Sequence, residues 1–276
     1  MSTSQTHNCD LCLGTNHKPI EAARPYIGGQ EPPVVCSECG FVYVRSRRSP
    51  AEIASSWSTI WGEGYTSSWP AVKARLTYVA EYMAQNIGGQ NHWLLDIGAG
   101  EGDFMKVVDG SQFIPFGLEP SEKNVKKIND MRLPCHQGTI ESFNPGRTYD
   151  AVTLLWTLEN TGDCMGVLRK ARTLLKKGGR IVVATGSRIL VPYKKPLSTY
   201  FSSNQQDLHC FRFSANSLTH ALAAVGFSDI RLNKYMDSDW LVAIGTAGTA
   251  EDMAPFKKDN PANVLKFFED WARMWP

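Results

Sequence analysis

Nowhere in the sequence does an apolar run approach the roughly 20 residues that a membrane-crossing helix needs, so no membrane partner is expected. Neither sign of charge dominates: 29 Lys and Arg stand against 27 Asp and Glu, a formal net charge of +2. A field that weak does not commit the chain to nucleic acid or to an anionic surface. The opening stretch MSTSQTHNCD lacks the basic-then-apolar pattern of a secretory leader, and a cytoplasmic location with reduced thiols is expected. Internal repeats and low-complexity segments are missing too, which excludes solenoid and fibrous readings. What remains is ordinary for a globular protein, with 42% hydrophobic and 20% charged residues over 276 positions. That length allows one large domain with an appendage, or two small ones.

Cysteine is not scarce, and its spacing is informative. Four of the seven form two CxxC pairs, CDLC at 9–12 and CSEC at 36–39. Cys9, Cys12, Cys36 and Cys39 can complete a tetrahedral Cys₄ site that closes a zinc ion to water and substrate, and Gly40 suits the turn of a zinc knuckle. The alternatives are four free thiols or two redox pairs, with His7 and His17 as spare donors. A structural zinc would fold residues 1–50, which have too few apolar residues for a core of their own. Five basic residues (Lys18, Arg24, Arg45, Arg47, Arg48) meet five acids (Asp10, Glu21, Glu31, Glu38, Glu52) in and just beyond this element. Only RSRR is locally basic, so a nucleic-acid partner is not favoured.

Residues 51–90 read as a helical connector that can also act as a substrate lid. Ser49-Pro50 opens one helix; Pro70 opens another that Gly88-Gly89 stops, with Val72, Leu76, Val79 and Met83 as its apolar stripe. From 91 to 247 short apolar runs alternate with helical stretches. Strands are predicted at 93–97, 114–118, 133–136, 149–155, 180–184, 227–235 and 240–245, and helices at 103–109, 121–131, 163–175 and 214–225. This is an α/β pattern: a Rossmann-like, mostly parallel sheet of seven strands whose last two form an antiparallel edge hairpin. Residues 248–276 carry a terminal amphipathic helix at 261–274.

The first predicted strand runs into three alternating glycines, Gly98, Gly100 and Gly102, in WLLDIGAGEGD. A bare turn at the carboxyl edge of an open sheet is where such folds bind ligands. A dinucleotide is the generic candidate, but the spacing is GxGxG and the loop carries Asp96 and Glu101 where a diphosphate wants donors. S-adenosylmethionine (SAM) fits better, since it has no phosphate and carries an ammonium and a sulfonium. Asp96 can assist through electrostatics or an ordered hydrogen-bond network. Glu119 stands 23 positions after Asp96, at the end of the second strand, where a carboxylate accepts both ribose hydroxyls.

Over roughly residues 70 to 246 the sequence resembles the class I SAM-dependent methyltransferases. LLDIGAGEGDF is similar to their first motif, GLEPS (with Glu119 and Pro120) to their second, and YDAVTLLWTLENTGD to that of the fourth strand. LLKKGGRIVVAT resembles the segment entering the fifth strand, and Glu159-Asn160 stands where Glu-His is common. The resemblance implies that adenine sits after the third strand, at CHQGTIESF. Thr139 and Ile140 are there where many relatives have an Asp. Trp156 and Asn160 either touch the cofactor or pack and cap.

A Cys₄ element ahead of such a domain also resembles the sugar C-methyltransferases. Similar stretches are the two CxxC pairs, CSECGFVYV, EGYTSSW and QQDLHCFRFS. The sequence departs from them in two ways: Asp207 and Leu208 replace two residues of a His-Glu-His type motif, and no counterpart of a further C-terminal domain is evident. The resemblance therefore implies a small-molecule substrate, a sugar or nucleotide sugar, without fixing whether oxygen or carbon is methylated. Its residues offer His209 as the catalytic base, a role suited to an imidazole of pKa near 7. Tyr65 is a second polar group across the cleft, and Tyr200 and Arg212 are substrate contacts. Two other functions compete. One is a zinc-ribbon ribosomal-RNA base methyltransferase, with Trp57, Trp61 and Trp69 available to stack; the other is an inactive zinc-binding adaptor.

Overall fold

Residues 4–64, 70–186, 188–193, 195–201, 209–234, 240–248 and 257–275 are described by the computed structural model of the protein. The first fifty residues form strands of two or three residues, too short to build a sheet with its own two-sided core. They are β1 (Gln5–Thr6), β2 (His17–Pro19), β3 (Val34–Cys36), β4 (Val42–Tyr43) and β5 (Ser46–Arg47), with a 3₁₀ turn at Glu21–Tyr26 between β2 and β3. Antiparallel pairing joins β2 to β3, β3 to β4, and β1 to β5.

Two helices lead into the larger sheet. In α1 (Pro50–Gly62), the Ser49 hydroxyl accepts from the Glu52 N–H while the Glu52 carboxylate accepts from the Ser49 N–H, a reciprocal cap. In α2 (Pro70–Asn86), Leu76, Val79 and Met83 are buried, so the predicted stripe is the packed face. The main sheet uses β6 (His92–Ile97), β7 (Phe113–Glu119), β8 (Cys135–Gln137), β9 (Tyr149–Leu155) and β10 (Leu175–Thr185). Helices α3 (Asp103–Val108), α4 (Glu122–Asp130) and α5 (Cys164–Thr173) alternate with them. Beyond these come α6 (Leu197–Tyr200), β11 (Phe211–Arg212), α7 (Ala215–Ala224), β12 (Phe227–Leu232), β13 (Leu241–Ala247) and α8 (Pro261–Met274).

Seven strands run in the order β12-β13-β10-β9-β6-β7-β8. The pairs from β10 through β8 are parallel, whereas β13 is antiparallel to both β10 and β12. The predicted edge hairpin is therefore present, and its second strand, not its first, joins the parallel core. The sheet is the α/β, Rossmann-like sheet expected from the alternation of strands and helices. Strand β8 starts two residues later than the apolar run at 133 implied, because Leu133 is buried in the small cluster around Met105 and Ile128 and not in the ladder. Successive strands turn outward to opposite sides of β6, so β6 and β9 flank a switch point, and a crevice opens at their carboxyl ends.

The Cys-rich segment and the late part of the chain share one sheet. β11 adds to β4 to make a four-stranded sheet in the order β11-β4-β3-β2, with Phe211 opposite Tyr43 and Arg212 opposite Val42. The Val44 N–H donates to the Cys210 carbonyl at 2.8 Å. Phe41 stacks on Phe211 with ring centroids 5.9 Å apart. On the other face, Ile20, Ile27, Val35 and Val42 pack with Val264, Phe268 and Trp271 of α8. The expectation that residues 1–50 lack apolar material for a core is thus met by lending: the segment's core is completed by β11 and by α8.

Candidate active site

The turn after β6 needs positive φ at each of its glycines: Gly98 at +72°, Gly100 at +54° and Gly102 at +79°. A side chain at Gly98 would also collide with Thr157, whose Oγ1 lies 2.6 Å from where a Cβ would stand. Gly102 has a different reason. Its bare Cα lets Ile128 of α4 approach to 2.8 Å of the Cβ position, and it does not line the crevice. Beside the loop the Glu119 carboxylate accepts from the Gly100 and Ser121 N–H groups, each at 3.0 Å. Asp96 accepts from the Thr153 hydroxyl at 2.7 Å. Glu101 is turned away, its Oε1 held by Lys127 Nζ at 2.7 Å. Asp96 and Asp103 line the crevice, whereas Glu101 does not.

The crevice is a cavity of about 760 Å³, and it gathers most of the residues that the sequence singled out. Asp96, Gly98, Gly100, Glu119, Pro120, Thr139, Ile140, Trp156 and Asn160 line it, and so do Tyr200, His209 and Arg212. Tyr65 and Trp69 lie outside the described residues. Trp57 and Trp61 of α1 form part of the wall, and Trp61 sits 3.4 Å from the Cβ position of Gly100, so the connector covers the glycine loop. Trp156 follows β9 with φ +52°, an uncommon backbone state for a large side chain that turns it onto the cavity wall.

Several wall residues escaped sequence reasoning. Arg75 of α2 lies between two indoles, with its guanidinium 5.9 Å from the Trp156 ring and 5.2 Å from the Trp240 ring. Lys195 lines the cavity as well, and so does Glu159 of the Glu159-Asn160 pair that the sequence had singled out. Trp57 Nε1, Trp156 Nε1, Arg75 Nε, Glu159 Oε2 and Asn160 Oδ1 are buried polar atoms with no hydrogen-bond partner among the described residues. Buried polar groups are rarely left so; a polar ligand is the partner such a wall accommodates.

Burial sets the protonation of the site. It pushes the carboxyls of Asp96, Glu119 and Glu159 each up to about 7, despite the opposing hydrogen bonds from Thr153, from Ser121 and Gly100, and from Thr185 and Gly186. The folded ligand-free protein therefore holds protons between about pH 4 and pH 7 that the unfolded chain has released. The imidazoles of His209 and His220, lowered to about 4, act in the opposite direction up to about pH 6.5. With three carboxyls against two imidazoles, stability should fall as pH rises through that window by a net of up to about 1.4 kcal/mol per pH unit. It should level off above pH 7. Thermal melts of the ligand-free protein from pH 5 to 8 check this, and a melting temperature that climbs across the window would contradict it.

His209 differs from its expected state. Its ring presents exposed surface and lines the cavity, but dense surrounding protein desolvates the charged form, and Arg212 and Lys195 repel it. The pKa is lowered to about 4, where a ring poised near neutrality was expected. At neutral pH His209 is an uncharged proton acceptor, with the Trp57 ring edge-on at 6.2 Å.

The four cysteines converge. Their sulfurs all lie within 4.8 Å of one another, with Cys9–Cys39 at 3.6 Å and Cys12–Cys36 at 3.5 Å. These separations are far longer than a disulfide's roughly 2.05 Å. They lie close to the roughly 3.8 Å edge of a tetrahedron whose zinc–sulfur bonds are about 2.3 Å. Both knuckles turn through a left-handed residue, Leu13 at φ +62° and Gly40 at φ +74°. A hydrogen bond with Cys39 and burial raise the Cys9 thiol, and burial raises Cys12 to about 12. Such thiols ionise together only around a cation. Asp10, inside the first knuckle, receives Arg47 Nη2 on both oxygens at 3.0 and 3.1 Å. Arg47 in turn lies 4.8 Å from the Phe211 ring centre.

Comparison with known proteins agrees with this geometry. A family described as "Methyltransferase domain" matches residues 72–232, more than half of the chain. The 27-O-demethylrifamycin SV methyltransferase of Amycolatopsis mediterranei is 27% identical over 149 residues, covering 48% of this chain and 54% of that protein. A demethylmenaquinone methyltransferase of Lactococcus lactis is 30% identical over 118 residues, or 42% of this chain and 46% of that one. The chain thus spans about half the length of the curated relatives it matches. Among solved structures, the Burkholderia thailandensis 1,6-didemethyltoxoflavin-N1-methyltransferase with bound S-adenosylhomocysteine superposes with a TM-score of 0.54 at 13% identity. That match covers 77% of this chain and 96% of the other, and at such low identity it speaks for the fold alone. A sheet whose carboxyl edge carries a positive-φ glycine turn, a buried acid at the end of the neighbouring strand and a family match across both have one common meaning: the chain belongs to the methyltransferase domain family, whose members take their methyl group from SAM.

Proposed function

We propose that the protein transfers a methyl group from SAM to a small-molecule acceptor, a sugar or nucleotide sugar, and that a structural zinc ion sits on Cys9, Cys12, Cys36 and Cys39. One observation carries the reading. A single cavity runs from the glycine loop and Glu119 to His209, Tyr200 and Arg212, so cofactor and acceptor would share one enclosed space. The names of the relatives, methyltransferases of a demethylrifamycin, of demethylmenaquinone and of a didemethyltoxoflavin, favour a small acceptor. The two CxxC knuckles and the QQDLHCFRFS stretch favour a sugar. An RNA acceptor is disfavoured because Arg47, inside the locally basic RSRR stretch, is fully buried and bound to Asp10. An inactive adaptor is disfavoured by a glycine loop that keeps its open geometry.

Each residue has a definite task on this reading. Glu119 accepts the ribose hydroxyls with the lone pairs that Gly100 and Ser121 leave unused. Asp96 faces the positively charged end of the cofactor. Gly98 and Gly100 admit it close to the backbone, Gly102 holds the loop against α4, and Pro120 shapes the bend after Glu119. Thr139 and Ile140 flank the adenine, and the Trp156 indole closes the reacting end. When bound, the cofactor supplies a methyl group already activated on sulfonium, so alignment by the cavity walls is the larger share of catalysis. His209, neutral at physiological pH, takes the acceptor's proton, and Tyr65 is the second polar group.

Calorimetry with S-adenosylhomocysteine followed by turnover of labelled SAM on a nucleotide-sugar panel tests the proposal. Absence of any binding heat would sink it. The His209→Ala variant should bind S-adenosylhomocysteine within about twofold of wild type while turnover falls by about 100-fold, the lower range for loss of a general base. Unchanged turnover would remove His209 from its role.

A further inference from the structure

We infer that the acceptor carries an anionic group, phosphoryl or carboxylate, and that Arg212 is the residue that seats it. The inference rests on the methyltransferase reading above and narrows its acceptor. Arg212 lies on β11 and lines the cavity while only 3% of its surface is exposed. Its guanidinium carbon stands 4.8 Å from the Phe201 ring centre and 5.4 Å from that of Tyr200, and Nη1 donates to the His209 carbonyl at 3.2 Å. Among the described residues no carboxylate is within ion-pairing range of it. The other fully buried arginine, Arg47, makes the contrast plain, since both Asp10 oxygens meet its charge.

A buried guanidinium without a counter-ion is unfavourable unless something that binds there supplies the missing charge. Burial holds even the Arg212 pKa below its ordinary value. None of the acids that line the cavity, Asp96, Asp103, Glu119, Glu141 or Glu159, acts on the Arg212 charge; its close partners are Tyr200 and the His209 carbonyl. Lys195 adds a second cation to the same wall, its Nζ 5.4 Å from the Tyr200 ring. The planar fork of an arginine, packed beside two aromatic rings that stand edge-to-face, matches the paired oxygens of a phosphoryl group or a carboxylate. His209 precedes Arg212 by three residues, so an anion seated on Arg212 would bring the acceptor's reacting atom within the reach of that ring.

Tryptophan fluorescence reads the test directly, because Trp57, Trp61 and Trp156 line the cavity. Protein saturated with S-adenosylhomocysteine is titrated with inorganic pyrophosphate, with malonate, and with uncharged ribose as comparator. At least one anion should bind saturably, and which one does distinguishes a phosphoryl from a carboxylate acceptor. Arg212→Met should weaken that anion by at least about tenfold, the value of one charge-assisted hydrogen-bonded contact, while S-adenosylhomocysteine affinity stays within about twofold. Arg212→Lys, which keeps the charge but loses the fork, should weaken it by a smaller factor. The inference is overturned if neither anion responds in wild type up to about 10 mM, or if the variants bind anions as wild type does. It also falls if a folded Arg212→Met protein loses S-adenosylhomocysteine, which would put the guanidinium on the cofactor's own carboxylate. Asp207 lies outside the described residues; Asp207→Asn should leave anion affinity unchanged, and a tightening would make Asp207 the counter-ion instead. Failure of wild type to bind S-adenosylhomocysteine would be a failure of the methyltransferase reading itself.

Discussion

Replacing Gly98 with alanine should cost about 2–4 kcal/mol of stability and weaken S-adenosylhomocysteine binding by at least about 100-fold. Two costs combine at this position. The residue sits at φ +72°, which costs an L-amino acid roughly 1–2 kcal/mol. The new methyl would also stand 2.6 Å from Thr157 Oγ1 and 2.7 Å from Thr157 Cγ2. Thr157 gives way poorly, because its hydroxyl donates to the Leu155 carbonyl at 3.1 Å and its side chain is β-branched. Overpacking of this kind adds roughly 1–3 kcal/mol. Relief comes most easily by moving the loop away from β9, and the loop lines the cavity on the side proposed to hold the cofactor. A 100-fold loss corresponds to about 2.7 kcal/mol of binding energy, a modest share of what a displaced loop forfeits. Gly110→Ala provides the comparison: it has a similar φ, +74°, but nothing lies within 4 Å of its Cβ position. That variant should lose only about 1 kcal/mol and keep its affinity. Equal binding by both variants would show that the Gly98 turn does not hold the cofactor.

Replacing Cys36 with serine should release the metal, lower the melting temperature by about 6–12 °C, and suppress turnover at least about 100-fold while S-adenosylhomocysteine still binds. The separation of effects follows from β11. That strand is held to β4 by register pairing, by the Val44 N–H to Cys210 carbonyl bond, and by the stack of Phe41 on Phe211. It carries Arg212 and directly follows His209, both on the cavity wall. The Cys₄ knuckles hold β3 and β4 in place, and Asp10 holds Arg47 against Phe211. Removing one thiol therefore loosens the His209–Arg212 side of the cavity first, whereas the glycine loop and Glu119 belong to β6 and β7 of the other sheet. The melting shift corresponds to a loss of about 3 kcal/mol in a chain of this size, conservative against the free energies of structural zinc sites. Metal analysis, calorimetry and turnover on one preparation check all three parts. One metal ion per chain retained in the variant would rule out the four cysteines as its ligand set.

Much of this site was readable before any fold was known, for a consistent reason. The glycine turn, Glu119 at the end of the next strand, and each CxxC knuckle are local: their chemistry depends on residues two to five positions apart or on one βαβ step. The opening of α1 at Ser49-Pro50 and the Leu76–Val79–Met83 stripe of α2 were legible on the same ground. The His209 pKa was not, because it is set by what packs around the ring. Nor was Glu101, which the loop pattern places beside Asp96 but which Lys127, 26 positions away, draws off the cavity.

The amino-acid sequence alone determined the alternation of strands and helices, the bare turn with its acid partner, and the convergence of four thiols in two pairs, because short-range periodicity and steric demand suffice for each. Tertiary structure alone decided that β11 completes the Cys-rich sheet, that α8 closes the other side of it, that Arg75 lies between Trp156 and Trp240, and that Arg212 is buried with no carboxylate beside it among the described residues. These facts depend on pairings across more than 80 and often more than 160 residues. No local pattern encodes such pairings, since a two-residue strand such as Phe211–Arg212 has no periodicity to read and acquires its partner only when the whole chain packs.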